Sequence, residues 1–503
     1  MPYLLGIDAG STVTKATLFD LEGRVVGESS SRISPSYPAP RHVERDQDEM
    51  WAALTRVVRA VLVKAGLTGR DVVAVGVTSH GDGAYLVDEV GRPTRPGVMS
   101  LDTRARGIVE EWDRSGVSDD AFKLTGQRPW PASPSAVMAW IQRHEPEVLI
   151  ASRWVLPAKD MLRQRLTGTF STEPTEASLS FTNVATQVYD ETVLDLFGLG
   201  GIRRLLPPVV PSTSALGVIS VEAAEATGLA PGTPVGSGAH DVDCAAVGTG
   251  VVRPGTVSIV AGTFSINQVI SDAPVLGRGW FARNFVLERQ WMNMAVSPTS
   301  ATNMEWFATQ MCADDLARSG EDPFAFVETE VARIADTPSD VVYLPYLFGS
   351  PLDQDASGTF AGLRGWHMRG HLLRAVMEGV TFVHRRHIDE LDSAFTSPSA
   401  RLTGGASRSP RWSQMFADTL GRPVEVTDVP EAAGLGAALL AGVGAGVYDD
   451  LDAAVDRTVR VRARYEPEPG AVAAMSASYR RFRDLTAALL PVWEQWSADE
   501  ARP

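Results

Sequence analysis

Cysteine is almost missing: Cys244 and Cys312 are the two in 503 residues. Two thiols cannot build a disulfide framework or a four-cysteine zinc site, and such sparse use suits a reducing compartment, the cytoplasm. Long apolar runs are missing too. The most membrane-like stretch, residues 432–448, carries no charge, but it is rich in Ala and Gly and shorter than the ~20 strongly apolar residues a span needs. It reads as a tightly packed helix of a soluble protein. The opening Met1-Pro2-Tyr3-Leu4-Leu5-Gly6-Ile7-Asp8 has an acid where an export signal would have its apolar core, and no basic residue before it, so no export signal is expected. Positive charge is in deficit. Lys and Arg number 46 against 61 Asp and Glu, a net charge of −15 that repels nucleic acid and anionic lipid.

What is present is ordinary globular material, 44% hydrophobic and 21% charged, in a chain about three times the usual ~150 residues per domain. Two domains are expected. Residues 3–29 alternate short apolar strands with a Gly-Ser-Thr turn and a Leu-Glu-Gly-Arg turn, the pattern of a three-strand antiparallel meander. Met50, Leu54, Val57, Val58, Val61 and Leu62 repeat at a helical period, and a buried strand follows at Val72 to Thr78. Strands feeding a helix and returning to a strand predict an α/β fold with mixed sheets flanked by helices. The same vocabulary returns between Pro231 and Ile270, where a strand is followed by the turn Ala261-Gly262-Thr263 and another strand. One supersecondary unit used twice places the boundary near residue 245, giving domains 1–245 and 246–503.

Three strand-end turns carry the chemistry. In Asp8-Ala9-Gly10-Ser11-Thr12 with Lys15, backbone N–H groups and two hydroxyls converge where Gly10 allows close approach, a geometry that can hold phosphate. Asp8 suits hydrated Mg²⁺, which takes few protein carboxylates. Gly262-Thr263 is a weaker copy, and Thr403-Gly404-Gly405-Ala406-Ser407 sets a glycine pair between a strand and a helix. Each alone reads equally as a turn. Together, in a chain with neither GxxxxGK[ST] nor a complete GxGxxG, they could hold a nucleotide without a P-loop.

Asp241 follows Gly236-Ser237-Gly238-Ala239-His240 at the entry to a small-residue helix, where an acid either caps the helix or faces a cleft as general base. Asp243 is the competing carboxylate, expected to point away from the cleft. His80, Gly81 and Asp82 lie just past a buried strand, where open α/β sheets place ligand groups. Asp102 and Arg104 add an acid and a base, or a salt-bridged loop. His80 has no neighbouring His or Cys to share a metal. Trp306, after Ser300-Ala301-Thr302-Asn303, could cover a sugar face.

These segments resemble a carbohydrate kinase of the FGGY family, in the sugar kinase, actin and heat-shock ATPase superfamily. The resemblance spans nearly the whole chain. It rests on Gly6 to Thr12 with Lys15, on Gly236 to Asp241, on Gly358-Thr359-Phe360-Ala361-Gly362-Leu363 leading to His367, Arg374 and Glu378, and on Thr403 to Ser407 with Trp412, Asp418 and Gly421. It implies two ribonuclease-H-like, actin-like ATPase domains closing over a cleft, sugar mainly on the first and ATP mainly on the second. Asp241 then matches the catalytic base. Ser11, Thr12 and Lys15 match the first phosphate turn, Gly262 and Thr263 the second, Gly404, Gly405 and Ala406 the adenosine turn, and Asp8 the Mg²⁺ position.

The sugar side departs from common members. Xylulose kinases typically have Met-His, and glycerol kinases Arg-Glu, where this chain has Gly81-Asp82. The pattern is more like the L-xylulose and erythritol kinase branches, which implies a small neutral ketose or polyol bound through His80, Gly81, Asp82, Asp102, Asp241 and Trp306. A homodimer is a further expectation from the family. The alternatives outside sugar phosphorylation are a chaperone-like or filament-forming ATPase of the same superfamily and a sugar-sensing pseudokinase; the presence of Asp241 argues against the pseudokinase.

Overall fold

The computed structural model describes residues 1–334, 339–350 and 356–500. Two mixed sheets dominate. In the first, strand order runs Val25–Arg32, Val13–Phe19, Tyr3–Ala9, Val72–Ser79, Pro234–Val235 and Gly217–Val218. The first three are the expected antiparallel meander, and Tyr3–Ala9 then pairs in parallel with Val72–Ser79. Alternation along Tyr3–Ala9 explains why it is buried on both faces. Leu5, Ile7 and Ala9 pack with the Gln47–Ala65 helix, while Leu4 turns to the opposite face. That helix starts where Asp46 accepts the backbone N–H groups of Asp48 and Glu49 and stops at Gly66, whose φ of 67° is left-handed.

The second sheet repeats the plan in the order Phe281–Asn284, Trp291–Ser297, Ser265–Ser271, Thr256–Ala261, Ser399–Thr403, Val424–Thr427 and Val461–Tyr465. Thr256–Ala261 is antiparallel to Ser265–Ser271 and parallel to Ser399–Thr403. The Gly10 and Gly262 turns therefore hold equivalent places, each closing a hairpin beside a parallel neighbour.

The Ala/Gly stretch forms the Ala432–Gly444 helix and lies on the first sheet rather than its own. Glycine makes this approach sterically allowed. A Cβ on Gly6 would stand 2.0 Å from the Gly434 carbonyl oxygen, and one on Gly76 2.0 Å from that of Ala437. The same helix crosses the Asp241–Gly248 helix, where a Cβ on Gly436 would stand 1.9 Å from the Cys244 carbonyl oxygen. Two small-residue helices thus join the lobes.

Candidate active site

Parallel strands of the first sheet end together. Asp8 sits in register with Thr78, and Thr78 Oγ1 donates to the Ala239 carbonyl at 2.7 Å, tying the strand end to the turn before Asp241. Asp8 Oδ1 is buried with no hydrogen-bond partner among the described residues. Burial pushes its carboxyl up to about 6, against the pull of Lys15 and with added repulsion from Glu431. Asp241 is the first residue of its helix, and His240 holds the cap position, making no side-chain capping bond. The Asp241 side chain is 30% exposed. Burial first, and the neighbouring Asp8 charge second, push its carboxyl up to about 8, while the Val242 N–H and Arg283 pull it down. Two carboxyls that repel each other at the ends of adjacent elements make a site for a cation or for proton transfer.

The turns of the second sheet meet. Gly404, at φ 83°, is so close to the neighbouring turn that a Cβ on it would stand 2.4 Å from the Ala261 carbonyl oxygen and 3.0 Å from Gly262 N. Gly405 packs on the Phe324 ring, and Ala406 is buried behind it. Thr263 is exposed, and its carbonyl accepts the Thr302 hydroxyl at 3.3 Å. On the first sheet, Ser11 and Thr12 lie open at the hairpin tip, and the Ser11 carbonyl accepts Arg45 Nη2 at 2.5 Å. Lys15 reaches across to the second lobe, where its ammonium lies 3.0 Å from both oxygens of Glu431.

A two-lobed chain with this duplicated plan and these turns has clear relatives. The profile of the FGGY family of carbohydrate kinases matches with its N-terminal domain over residues 3–248 and its C-terminal domain over residues 257–445. The chain belongs to the FGGY family of carbohydrate kinases. It is 34% identical over 492 residues to the L-xylulose/3-keto-L-gulonate kinase of Escherichia coli K12, covering 97% of each chain. It is 30% identical over 519 residues to the erythritol kinase of Brucella abortus, covering 98% of this chain and 97% of that one. The crystal structure of xylulose kinase from Rhodospirillum rubrum superposes with a TM-score of 0.87 at 29% identity, covering 98% and 100% of the two chains. This FGGY kinase transfers a phosphoryl group to a hydroxyl, with ATP as the donor the family implies. Among its described residues no helix is long and apolar enough to cross a membrane.

On the sugar side the kinase treats the expected residues unequally. Asp82 is half-buried with a left-handed φ of 61°, accepts the Trp130 indole N–H at 3.3 Å, and has its carboxyl pushed up to about 6 by burial. His80 is 5% exposed, with Nδ1 on the Ala9 carbonyl at 3.1 Å and Nε2 on the Tyr85 hydroxyl at 3.0 Å. Burial holds it down at about 4, so it is neutral and its ring nitrogens are already engaged. Gly81 has no room for a side chain, because a Cβ would stand 2.0 Å from the His240 ring. Asp102 is fully buried and faces inward: Val43 N and Arg104 Nη2 bind its Oδ2 at 2.6 and 2.8 Å. The salt-bridged reading describes it, in a closed cluster where Arg104 and Arg95 also hold Glu44. Trp306 lies in the Thr302–Trp306 helix beside the Thr263 turn, on the other lobe from Asp82, and packs on Phe307.

Three further residues border the site without having been singled out in the sequence. Arg283 Nη2 holds Asp243 Oδ2 at 2.9 Å and lies 3.4 Å from His240 Nδ1. Its one sequence signal is a lone cation inside the short strand Phe281–Asn284, since a buried charge demands a partner. Trp130 and Glu431 gave no signal at all. Asp243 is sealed at 0% exposure under Arg283, its carboxyl pushed up to about 7 by burial.

Proposed function

We propose that this kinase phosphorylates a terminal hydroxyl of a small neutral ketose or polyol, L-xylulose or another pentulose first and erythritol or a related tetritol second. The observation that carries the reading is Asp241: a partly open carboxyl at the lobe junction, 3.3 Å from His240 Nδ1 and next to the unpartnered oxygen of Asp8. Asp241 takes the proton from the acceptor hydroxyl as that oxygen attacks the γ-phosphorus in line. Ser11, Thr12 and Lys15 hold the phosphates from one side and Gly262 and Thr263 from the other, while Gly404, Gly405 and Ala406 seat the adenosine. Lys15 leaves Glu431 to do so.

Asp8 fits Mg²⁺. It offers a hard, buried oxygen without a partner, and among the described residues no set of three His, Cys, Asp or Glu is gathered that would strip the ion of its waters. When bound, the ion offsets charge on the transferring phosphoryl group. Two domains, 1–245 and 246–503, in a chain that pairs with a second copy of itself in the cytoplasm complete the proposal. Two free thiols suit that compartment, and light scattering coupled to size exclusion reads the assembly.

A keto sugar acid is the second reading. The E. coli relative is named for 3-keto-L-gulonate as well as L-xylulose. Asp102, the acid expected to repel such an acceptor, faces inward and is closed off against Arg104. A coupled ADP-release assay over L-xylulose, other pentuloses, erythritol, glycerol, 3-keto-L-gulonate and gluconate separates the two. L-Xylulose or erythritol is expected to give the highest kcat/KM; a sugar acid in that place would overturn the neutral reading.

A further inference from the structure

One carboxyl close to Asp241 has no part in the chemistry above. Glu176 lies in the short Pro174–Ala177 helix at 4% exposure, and neither Oε1 nor Oε2 has a hydrogen-bond partner among the described residues. Its neighbours are engaged with one another, apart from Arg163 Nη1, which also has no partner among the described residues. Glu173 accepts the N–H groups of Thr175 and Glu176 and the hydroxyls of Thr175 and Ser212, and stands 3.5 Å from the Lys159 ammonium. Lys159 is shared between Asp160 and the Ser237 carbonyl, each at 3.0 Å, and Arg163 goes to Asp160 and Ser171. Thr175 Oγ1 accepts His240 N at 2.9 Å, so this cluster braces the turn that presents Asp241. None of the bonds in this brace goes to the Glu176 carboxyl.

A buried carboxyl with no partner is unfavourable, and an apolar side chain of similar size would serve packing better. Something else satisfies it. Burial, with repulsion from Glu173, Asp160 and Asp241 only partly offset by Lys159, pushes the Glu176 carboxyl well above its ordinary value. The protonated form is favoured accordingly, and in that form the group offers one O–H donor and one C=O acceptor.

Glu176 lines a cavity of about 40 Å³ together with Asp82, and the remaining wall includes Leu156, Leu179, Phe181 and Tyr189. That volume holds one or two water-sized groups. Asp82 is the half-buried member and also takes the Trp130 indole, which is 43% exposed, so this end of the cavity faces the open side of the sugar region. We infer that Glu176 is an acceptor-binding residue, and that the Asp82–Glu176 cavity receives the hydroxymethyl end of the acceptor remote from the phosphorylated hydroxyl. The inference rests on the kinase reading above and adds what sets acceptor length and polarity. Asp82 accepts a hydrogen bond from the hydroxyl, Glu176 donates to the hydroxyl oxygen, and the rest of the wall is mostly apolar, with Thr172 and Tyr189 its other polar side chains.

The probe pair is L-xylulose and 1-deoxy-L-xylulose, compared in kcat/KM on wild type, Glu176→Leu and Glu176→Gln. Wild type is expected to favour L-xylulose by ~10²-fold or more, because a site built for a hydroxyl leaves its own groups unpaired without it. Glu176→Leu should reduce that preference to ~3-fold or less, mainly through KM for the sugar, with KM for ATP unchanged. Glu176→Gln, which keeps a donor and an acceptor, should retain ~10-fold or more. An undiminished preference in Glu176→Leu overturns the inference. So does a wild-type enzyme that takes both sugars equally, a result that needs no variant to fold. Wild type inactive on every acceptor overturns the kinase reading together with this one, whereas turnover without the stated preference overturns this one alone.

Discussion

Arg283 crosses from the edge strand of the second sheet to hold Asp243 Oδ2 at 2.9 Å, with the two side chains 2% and 0% exposed. Removing one partner from a sealed pair leaves a bare charge, a cost of about 3–5 kcal/mol, whereas removing both costs far less. Arg283→Met should therefore lower Tm sharply, and adding Asp243→Leu should recover much of the loss. Denaturant titration of the two single variants and the double variant gives the coupling directly. Equal losses that simply add would show that the pair does not act as a unit.

Asp241→Asn should lower kcat by ~10²–10⁴ while nucleotide binding stays nearly intact, since it removes a proton acceptor and little volume. Single-turnover rates and isothermal titration with ADP separate chemistry from binding. Wild-type turnover in the variant would assign the base elsewhere.

Asp8 and Asp82 stand at about 6, Asp243 at about 7 and Asp241 at about 8, each raised by burial. The folded chain therefore keeps protons that the unfolded chain releases near pH 4, so these groups favour folding most at low pH, and that benefit is lost as pH rises through about 8. The ligand-free kinase should show a higher Tm at pH 6 than at pH 8.5. Asp241→Asn should shrink the difference by removing the group that titrates last. Scanning calorimetry at the two pH values tests both statements, and a Tm that climbs with pH would contradict them.

The crossing of the two small-residue helices has a steric prediction. Gly436→Ala places a methyl 1.9 Å from the Cys244 carbonyl oxygen, against backbone that cannot yield cheaply, and should cost about 3 kcal/mol or more. Gly107, inside the Arg106–Ser115 helix with nothing within 4 Å of its Cβ position, is the control: Gly107→Ala should stabilise by about 0.5–1 kcal/mol. Two substitutions alike in chemistry and opposite in sign would establish that the crossing, not glycine content, is what matters.

The same crossing is expected to act as the pivot if the lobes close, since the helices that join them meet through backbone rather than long side chains. Small-angle scattering should show a smaller radius of gyration with an ATP analogue and acceptor bound than without. Superimposable profiles would argue for a fixed cleft.

Most of the fold was readable from local pattern. The meander at Tyr3 to Arg32, the helix after Asp46 and the repeated strand and Gly-Thr turn at 256–271 all follow from periods of two and 3.6 and from glycine at tight turns, which neighbouring residues dictate among themselves. The position of Asp241 at a helix entry was equally local. The Ala/Gly stretch was readable as a packed helix, but not as one lying on the other lobe's sheet.

Pairing across the chain was decided by tertiary structure alone. Lys15 and Glu431 are 416 residues apart, and no local period says that they meet. Asp102 and Arg104 allowed a ligand-facing pair or a closed salt bridge, and burial beneath Val43 and Glu44 selected the second. Glu176 gave no signal in the sequence, and only the fold encloses it beside Asp82. The physical reason is the same in each case. Secondary structure depends on residues a few positions apart, whereas the charge state and partner of a side chain depend on which distant segments exclude water from it.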